Sequence, residues 1–230
     1  MLMVLLPLSA CLLFVIWRHG RHYGAERDFR DFSEFVILIF ASFVVPVCAL
    51  AFGTASIGGD REDRTLEFLL VRPIPRALIL LAKFAATLPL VLGLVVGSYW
   101  LYCQLADGVG QRAFELYLPA LVAMTMAYVC LFHLFAVSFR HSTIIALVYA
   151  LFMELLLGNM PGIIKRVAVN YYGRSLMYAA GADEGLKAPD PKWFEPLTTA
   201  AAGWGLFWIA AAALVCAMVV FSRREYRDLT

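Results

Sequence analysis

The sequence has little charge and few long polar stretches. Only 16% of its 230 residues are charged and 62% are hydrophobic, with a mean hydropathy of +0.78, whereas soluble domains are about 25% charged and about 45–50% apolar. This composition excludes an ordinary soluble domain and indicates an integral membrane protein. The formal net charge is only +2, which is far from the basic excess of nucleic-acid-binding domains, so we expect no nucleic-acid partner.

The sequence also lacks the motifs of common catalytic and metal sites. Its five cysteines all fall in apolar runs, without a CxxC pair or a nearby set of histidines, which is typical of small buried hydrophobic residues. No GxxxxGK[ST], HExxH or GxSxG motif occurs. We therefore expect no metal, no bound cofactor and no ATP hydrolysis by this chain.

Six apolar runs are long enough to cross a bilayer as helices. A helix needs about 20 residues to cross the roughly 30 Å hydrocarbon core, and each run is apolar at both odd and even positions, unlike a barrel strand. The predicted spans are Met1–Trp17, Phe35–Ile57, Phe84–Leu105, Phe114–Phe139, Thr143–Ile164 and Thr198–Phe221. The sequence therefore predicts an all-α integral membrane protein with six transmembrane helices in a single domain, residues 1–230. Its lysines and arginines divide almost evenly between the two sides, so the positive-inside rule does not orient it.

The most informative connection follows the second span, at residues 58–83. It contains Asp60-Arg61-Glu62-Asp63-Arg64-Thr65-Leu66-Glu67, then Leu69-Leu70, Arg72-Pro73-Ile74-Pro75-Arg76 and Lys83. Leu66, Leu69 and Leu70 recur at helical spacing opposite the carboxylates, which predicts an amphipathic helix that either Asp60 or Asp63 can cap at its N-terminus. The first proline then ends this helix and the second can open the next one. A helix held between two spans in this way can transmit force, and an ordinary interfacial loop is the alternative.

This segment resembles the corresponding stretch of the permease subunits of type 2 ABC exporters. The matching residues are Asp60-Arg61-Glu62, Thr65-Leu66-Glu67, Leu69-Leu70, Pro73-Ile74, Arg76 and Lys83. The sequence departs from the family pattern with Arg64 in place of the usual glycine and Pro75 in place of serine or threonine. We also expect no counterpart of the family's N-terminal interfacial helix before the first span.

The resemblance implies a function and a set of partners. It implies a cytoplasmic coupling helix at about Asp60–Val71 that docks on a separate ATP-binding subunit, which would hold ATP and Mg. It also implies a second permease copy as partner in the dimer. It also implies export across the bacterial cytoplasmic membrane, with both termini cytoplasmic and an external loop at about residues 165–197. The residues implied in partner coupling are Asp60, Arg61, Glu62, Asp63, Arg64, Thr65, Leu66, Glu67, Arg72, Pro73 and Arg76.

Two ionisable residues inside the spans are further candidates, because such groups are costly in lipid. His133 lies about 10 Å from the nearer membrane edge and Glu154 about 20 Å deep, so the two are too far apart in depth to pair. By depth, the Tyr128 hydroxyl is the expected partner of Glu154. For His133, a neutral imidazole hydrogen-bonded to a neighbouring helix is the alternative to a residue of the transport path.

Two other functions remain open from the sequence. A self-contained proton- or ion-coupled secondary transporter would use Glu154 as its ion site, and a membrane scaffold would need no transport path. The external loop begins with Ile163–Tyr178, which is apolar on one side and polar on the other and predicts an interfacial helix. That helix would serve either as a lipid anchor or as a lid over the outer mouth of a path.

Overall fold

The computed structural model describes residues 29–62, 75–104, 106–152, 166–186, 188–189 and 194–223, and every regular element in these ranges is a helix. The first helix consists of α1 (Phe29–Val36), a π-helical segment (Ile37–Val44) and α2 (Val45–Glu62), which follow one another without a break. The others are α3 (Arg76–Gln104), α4 (Asp107–Ser138), α5 (Ser142–Tyr149), α6 (Val169–Ala180) and α7 (Thr199–Arg223), with a short 3₁₀ turn at Ala182–Glu184. The all-helical prediction is confirmed.

Four of the described helices are long and apolar enough to cross a membrane. They are Phe29–Arg61, Arg76–Gln104, Gly108–Ser138 and Thr199–Arg223, and they correspond to the predicted second, third, fourth and sixth spans. For the fifth span, the described residues contain the shorter apolar helix Ser142–Phe152. The predicted first span, Met1–Trp17, lies outside the described residues, so the count of six stays a prediction.

The helices extend beyond the apolar runs that predicted them. α3 begins about two helical turns before the predicted start at Phe84, and the 32 residues of α4 extend over about 48 Å, well beyond the hydrocarbon core. Hydropathy changes at the membrane boundary. The backbone hydrogen bonds of a helix join residues of that same helix, so they can continue past the boundary into the interface. Most of the connection between the predicted spans Phe84–Leu105 and Phe114–Phe139 is therefore helical, because α4 begins at Asp107. A Cβ built at Gly110 would lie 1.9 Å from the carbonyl oxygen of Cys103, so the tight α3–α4 turn requires glycine there.

The same effect changes the predicted start of the coupling helix. α2 runs on to Glu62, so Asp60 belongs to the last turn of the spanning helix and does not begin a new helix. The physical reason is again that the apolar run ends before the helix does. Residues 63–74, which would form most of the predicted coupling helix, lie outside the described residues.

α4 is the central helix of the bundle. In its most apolar window 67% of the residues are buried, against 22% in α3 and 28% in α7, and α4 packs against α2, α3, α6 and α7. Its buried aromatic residues include Tyr117, Tyr128 and Phe132. α3 and α7 lie at the periphery and present large apolar side chains on their outer faces. The prediction of buried cysteines holds for Cys103 and Cys130, but Cys216 is exposed on α7.

The predicted interfacial helix, Ile163–Tyr178, corresponds to α6 in the structure, and α6 packs into the bundle. A Cβ at Gly173 would lie 1.9 Å from the Met124 sulfur of α4, and one at Gly205 of α7 would lie 2.4 Å from the Tyr172 ring. These two glycines let α6 approach both helices closely. The hydroxyl of Tyr171, whose pKa is raised by burial, donates to the carbonyl oxygen of Glu195 at 2.7 Å.

Candidate coupling site

A polar junction lies at the end of the bundle where residues 63–74 leave α2 and return to α3. We call the group formed by Ser56 and Asp60 of α2, Lys83 of α3 and His133 of α4 the coupling junction. The Lys83 ammonium donates a hydrogen bond of 2.9 Å to the backbone carbonyl of Ser56 and forms an ion pair with Asp60. The two side chains of this ion pair are only 26% and 23% exposed. The pair therefore ties together the two helices from which the coupling segment emerges.

The local sequence places these groups opposite each other. The Pro75 carbonyl accepts hydrogen bonds from the backbone of Leu78 at 2.9 Å and of Ile79 at 3.3 Å, so the second proline opens α3 as predicted. Proline is well suited to this position because the first amides of a helix have no partner within it. Since α2 runs towards the segment and α3 runs away from it, Asp60 near the end of α2 comes level with Lys83 about two turns into α3.

Arg61 connects the same end of α2 to the end of α4. Its Nη1 donates to the carbonyl oxygen of Phe139 at 2.9 Å, one residue beyond the last residue of α4. The last carbonyls of a helix lack partners within it, and a cation suits the negative end of the helix dipole. The start of α5 is held against α2 as well, because the Thr143 hydroxyl donates to the Thr54 hydroxyl at 3.3 Å.

His133 carries the junction into the interior of the bundle. Its side chain is fully buried, with Nδ1 at 2.8 Å from the carbonyl oxygen of Val129 and Nε2 at 3.1 Å from the Ser56 hydroxyl. A carbonyl oxygen only accepts hydrogen bonds, so Nδ1 carries a proton. The Ser56 hydroxyl also lies 2.9 Å from the carbonyl oxygen of Gly53. His133 is thus hydrogen-bonded to a neighbouring helix, which is the alternative that the sequence offered to a path residue.

The structure describes only some of the predicted site residues. Asp60 and Arg61 make the contacts given above, Arg76 begins α3, and Glu62 is the last residue of α2. Tyr128 is fully buried in α4, with its ring stacked on Phe132 at a centroid distance of 5.8 Å. The remaining predicted residues lie outside the described part of the chain, and their roles stay predictions: Asp63, Arg64, Thr65, Leu66, Glu67, Arg72, Pro73 and Glu154.

Sequence reasoning missed several members of the site. Lys83 entered only as part of the family resemblance, and Ser56, Thr54 and Thr143 were not candidates at all. The sequence did contain one indication of them. Small hydroxyl residues occur near the end of the second apolar run, at a membrane depth similar to that of Lys83, which directly precedes the third apolar run. Such residues hydrogen-bond between helices in lipid, but the sequence does not say which helices are neighbours.

The coupling junction consists of contacts between helices. It contains an ammonium group, a carboxylate and an imidazole, and each of them contacts a neighbouring helix. Within the described ranges, no group of three or more His, Cys, Asp or Glu residues is arranged to hold a metal ion. These contacts hold α2, α3 and α4 against one another.

Comparison with known proteins identifies the family of the chain. No protein of curated function is similar enough to match the chain. The family model described as ABC-2 family transporter protein matches residues 16–226, which is nearly the whole chain. The match extends over all the described helices, and membrane proteins of this family are transport components that are not themselves catalytic. The chain therefore belongs to the ABC-2 transporter family and is a multi-pass membrane permease of an ABC transporter.

Proposed function

We propose that this permease exports a substrate across the bacterial cytoplasmic membrane, driven by a separate subunit that binds ATP and Mg. The observation that supports this proposal is the coupling junction, where the ion pair between Lys83 and Asp60 joins the two ends of the segment at residues 63–74. In this proposal the segment is the cytoplasmic docking element for the ATP-binding subunit, and both termini are cytoplasmic.

The contacts of the junction give a route for the motion. A displacement of the docked segment would move the end of α2 and the start of α3 as one unit, because Lys83 contacts both Asp60 and the Ser56 carbonyl. Arg61 would pass the displacement to the end of α4, whose neighbours include most of the other described helices. The central helix would then move relative to its neighbours, as opening a path through the bundle requires.

The proposal also includes a second permease copy as partner. On α3, a Cβ built at Gly93 or Gly97 would have no described atom within 4 Å apart from the adjoining backbone and chain neighbours of its own helix, and the flanking Leu90 and Leu94 are 47% and 46% exposed. A GxxxG face lets two helices approach closely in lipid. This open face supports pairing with another copy or with a related permease.

The free energy at stake in the ion pair can be bounded. Exposed ion pairs contribute about 0.2–1 kcal/mol, whereas removing one partner of a fully buried pair costs about 3–5 kcal/mol. The Lys83–Asp60 pair is about three-quarters buried and lies between these limits, so we take about 1–3 kcal/mol. Coupling free energies between sites have the same typical size and correspond to changes of about 5- to 150-fold.

The test is ATP hydrolysis by the complex of permease and ATP-binding subunit in lipid nanodiscs. Lys83→Met and Asp60→Asn should each reduce the stimulation of ATP hydrolysis by the permease at least about fivefold, while the ATP-binding subunit still co-purifies. Exchanging the two charges in the double variant Asp60→Lys/Lys83→Asp should restore part of the stimulation, because the ion pair is re-formed.

A matched control lies at the opposite end of the bundle. Arg112 pairs with Glu184 at 3.3 Å, and the arginine side chain is 70% exposed, so Arg112→Met should leave the stimulation unchanged. Full stimulation in Lys83→Met and Asp60→Asn would refute the role of the junction. Transport without ATP would instead favour the secondary transporter that uses Glu154.

A further inference from the structure

A cavity of about 430 Å³ lies at the end of the bundle opposite the coupling junction. Arg30 and Glu34 of α1 and Arg174 of α6 contribute its charged lining, and Ile37 and Leu38 contribute apolar lining. The volume falls within the range of ligand sites, about 300–1,000 Å³. Neither the family nor the proposed coupling mechanism assigns a function to this cavity.

The charged lining favours an anionic group. Arg30 and Glu34 pair at 3.0 Å across one helical turn, and Arg174 approaches from a different helix. The guanidinium carbon of Arg174 lies 4.9 Å from the centre of the Phe194 ring, and such stacking holds the planar group in one orientation. The described lining thus contains two guanidinium groups and one carboxylate, a formal charge of +1. Guanidinium groups bind phosphate in a bidentate geometry, with two parallel N–H···O hydrogen bonds.

The wall of the cavity has an unusual backbone. Ile37, Leu38 and Ser42 belong to the π-helical segment Ile37–Val44. π-Helical turns are rare in proteins, and those that occur are often found at functional sites. The Asn170 side chain, only 1% exposed, donates from Nδ2 to the Ser42 hydroxyl at 3.0 Å. A partly buried hydrogen bond between α6 and the π-helical segment therefore supports one side of the cavity.

Along the first helix, the charged residues of the cavity lining come before its apolar residues. Arg30 lies before the apolar run that begins at Phe35, and Leu38, which is 65% exposed, lies about 12 Å further along the helix axis. The charged lining is therefore at the level of the membrane surface, and the apolar lining faces the level of the acyl chains. A free anion would use only the first part, whereas an amphiphile would use both.

We propose that this cavity binds the phosphate-bearing headgroup of a membrane lipid, with a preference for a net anionic headgroup. Arg174 and Arg30 contact the phosphate, and the apolar wall at Ile37 and Leu38 contacts the start of an acyl chain. The preference for a net negative headgroup arises from the formal charge of the lining. This inference does not depend on the coupling mechanism, because the cavity is at the other end of the bundle.

The test is a lipid titration of the purified full-length chain in detergent, read by native mass spectrometry. Phosphatidylglycerol should bind at least about tenfold more tightly than phosphatidylcholine with the same acyl chains, because both carry the phosphate but only phosphatidylcholine adds a cation that the positively charged lining repels. Arg174→Gln should remove this preference. Glu34→Gln should strengthen phosphatidylglycerol binding, because it removes the carboxylate from the lining.

Controls separate this site from general attraction to the membrane. Arg112→Gln removes an exposed arginine from the same end of the bundle but outside the cavity lining, so it should leave the preference unchanged. If Arg174→Gln does not fold, Arg30→Gln takes its place and should lower the preference. An unchanged preference in the folded Arg30 and Arg174 variants would overturn the proposal. Displacement of phosphatidylglycerol by millimolar inorganic phosphate would assign the cavity to a soluble anion and overturn the lipid site.

Discussion

Replacing Gly53 by alanine is a sharp test of the packing that supports the coupling junction. Gly53 lies where α2 crosses α4, and a Cβ built there would be 2.9 Å from the Cβ of Phe132 and 3.8 Å from Nδ1 of His133. Two Cβ atoms cannot separate by side-chain rotation, because each is fixed to its own backbone. The two helices would have to move apart by a few tenths of an ångström. At Gly59, on the same helix, a Cβ would have no described atom within 4 Å apart from the adjoining backbone and chain neighbours of that helix.

The magnitude follows from comparing the two substitutions. Alanine in place of glycine inside a helix stabilises by about 0.5–1 kcal/mol, whereas overpacking a tight interface costs about 1–3 kcal/mol. Gly59→Ala should therefore be neutral or stabilising. Because the propensity gain is similar in both variants, the difference between them isolates the packing cost. We expect Gly53→Ala to be less stable than Gly59→Ala by about 1–3 kcal/mol.

The assay is reversible unfolding of the purified chain in mixed micelles, with increasing mole fractions of a denaturing detergent. Gly53→Ala should unfold at a lower fraction than Gly59→Ala. The same displacement would lengthen the contact between His133 and Ser56, so the permease-stimulated ATP hydrolysis should fall in Gly53→Ala and not in Gly59→Ala. Equal unfolding free energies for the two variants would refute the close packing of α2 on α4.

Two further predictions concern the junction and the orientation. In a double-mutant cycle of Ser56→Ala and His133→Phe, we expect a coupling free energy of about 0.6 kcal/mol and at most about 1.7, the range found for polar pairs between membrane helices; additive effects of the two substitutions would contradict the hydrogen bond. In a cysteine-free chain in intact cells, single cysteines replacing Asp63 or Arg224 should be protected from a membrane-impermeant thiol reagent, whereas one replacing Asp183 should react. The opposite labelling pattern would invert the proposed orientation.

Local features of the sequence were sufficient for the fold class and the family. The free energy of transferring an apolar run from water into lipid depends on the residues of that run alone. The described helices beginning at Phe29, Arg76, Asp107 and Thr199 could therefore all be predicted. The family resemblance rests on a short motif that needs no knowledge of the fold. The helix ends were harder to predict, because hydropathy changes at the membrane surface while the helical hydrogen bonds continue.

The contacts of the candidate site were decided by the tertiary structure. Arg61 reaches a carbonyl group 78 positions away in the sequence, and Ser56 meets a histidine 77 positions away. Nothing local encodes these pairs, since they depend on which helices lie side by side. The same holds for α6, whose amphipathic pattern predicts a helix at an interface, whereas two glycines in the structure bring it into the bundle.

Hydropathy also fails to say which side of a membrane helix is buried. Lipid tails are as apolar as a protein core, so both faces of a spanning helix have similar residues. On α3, Val91 is fully buried while Leu94 is 46% exposed, although both are ordinary apolar residues. The sequence by itself therefore determined that this chain spans the membrane as helices and to which family it belongs. Only the packing of those helices decided which polar groups meet, because partner choice in lipid depends on shape and hydrogen bonding rather than on hydrophobicity.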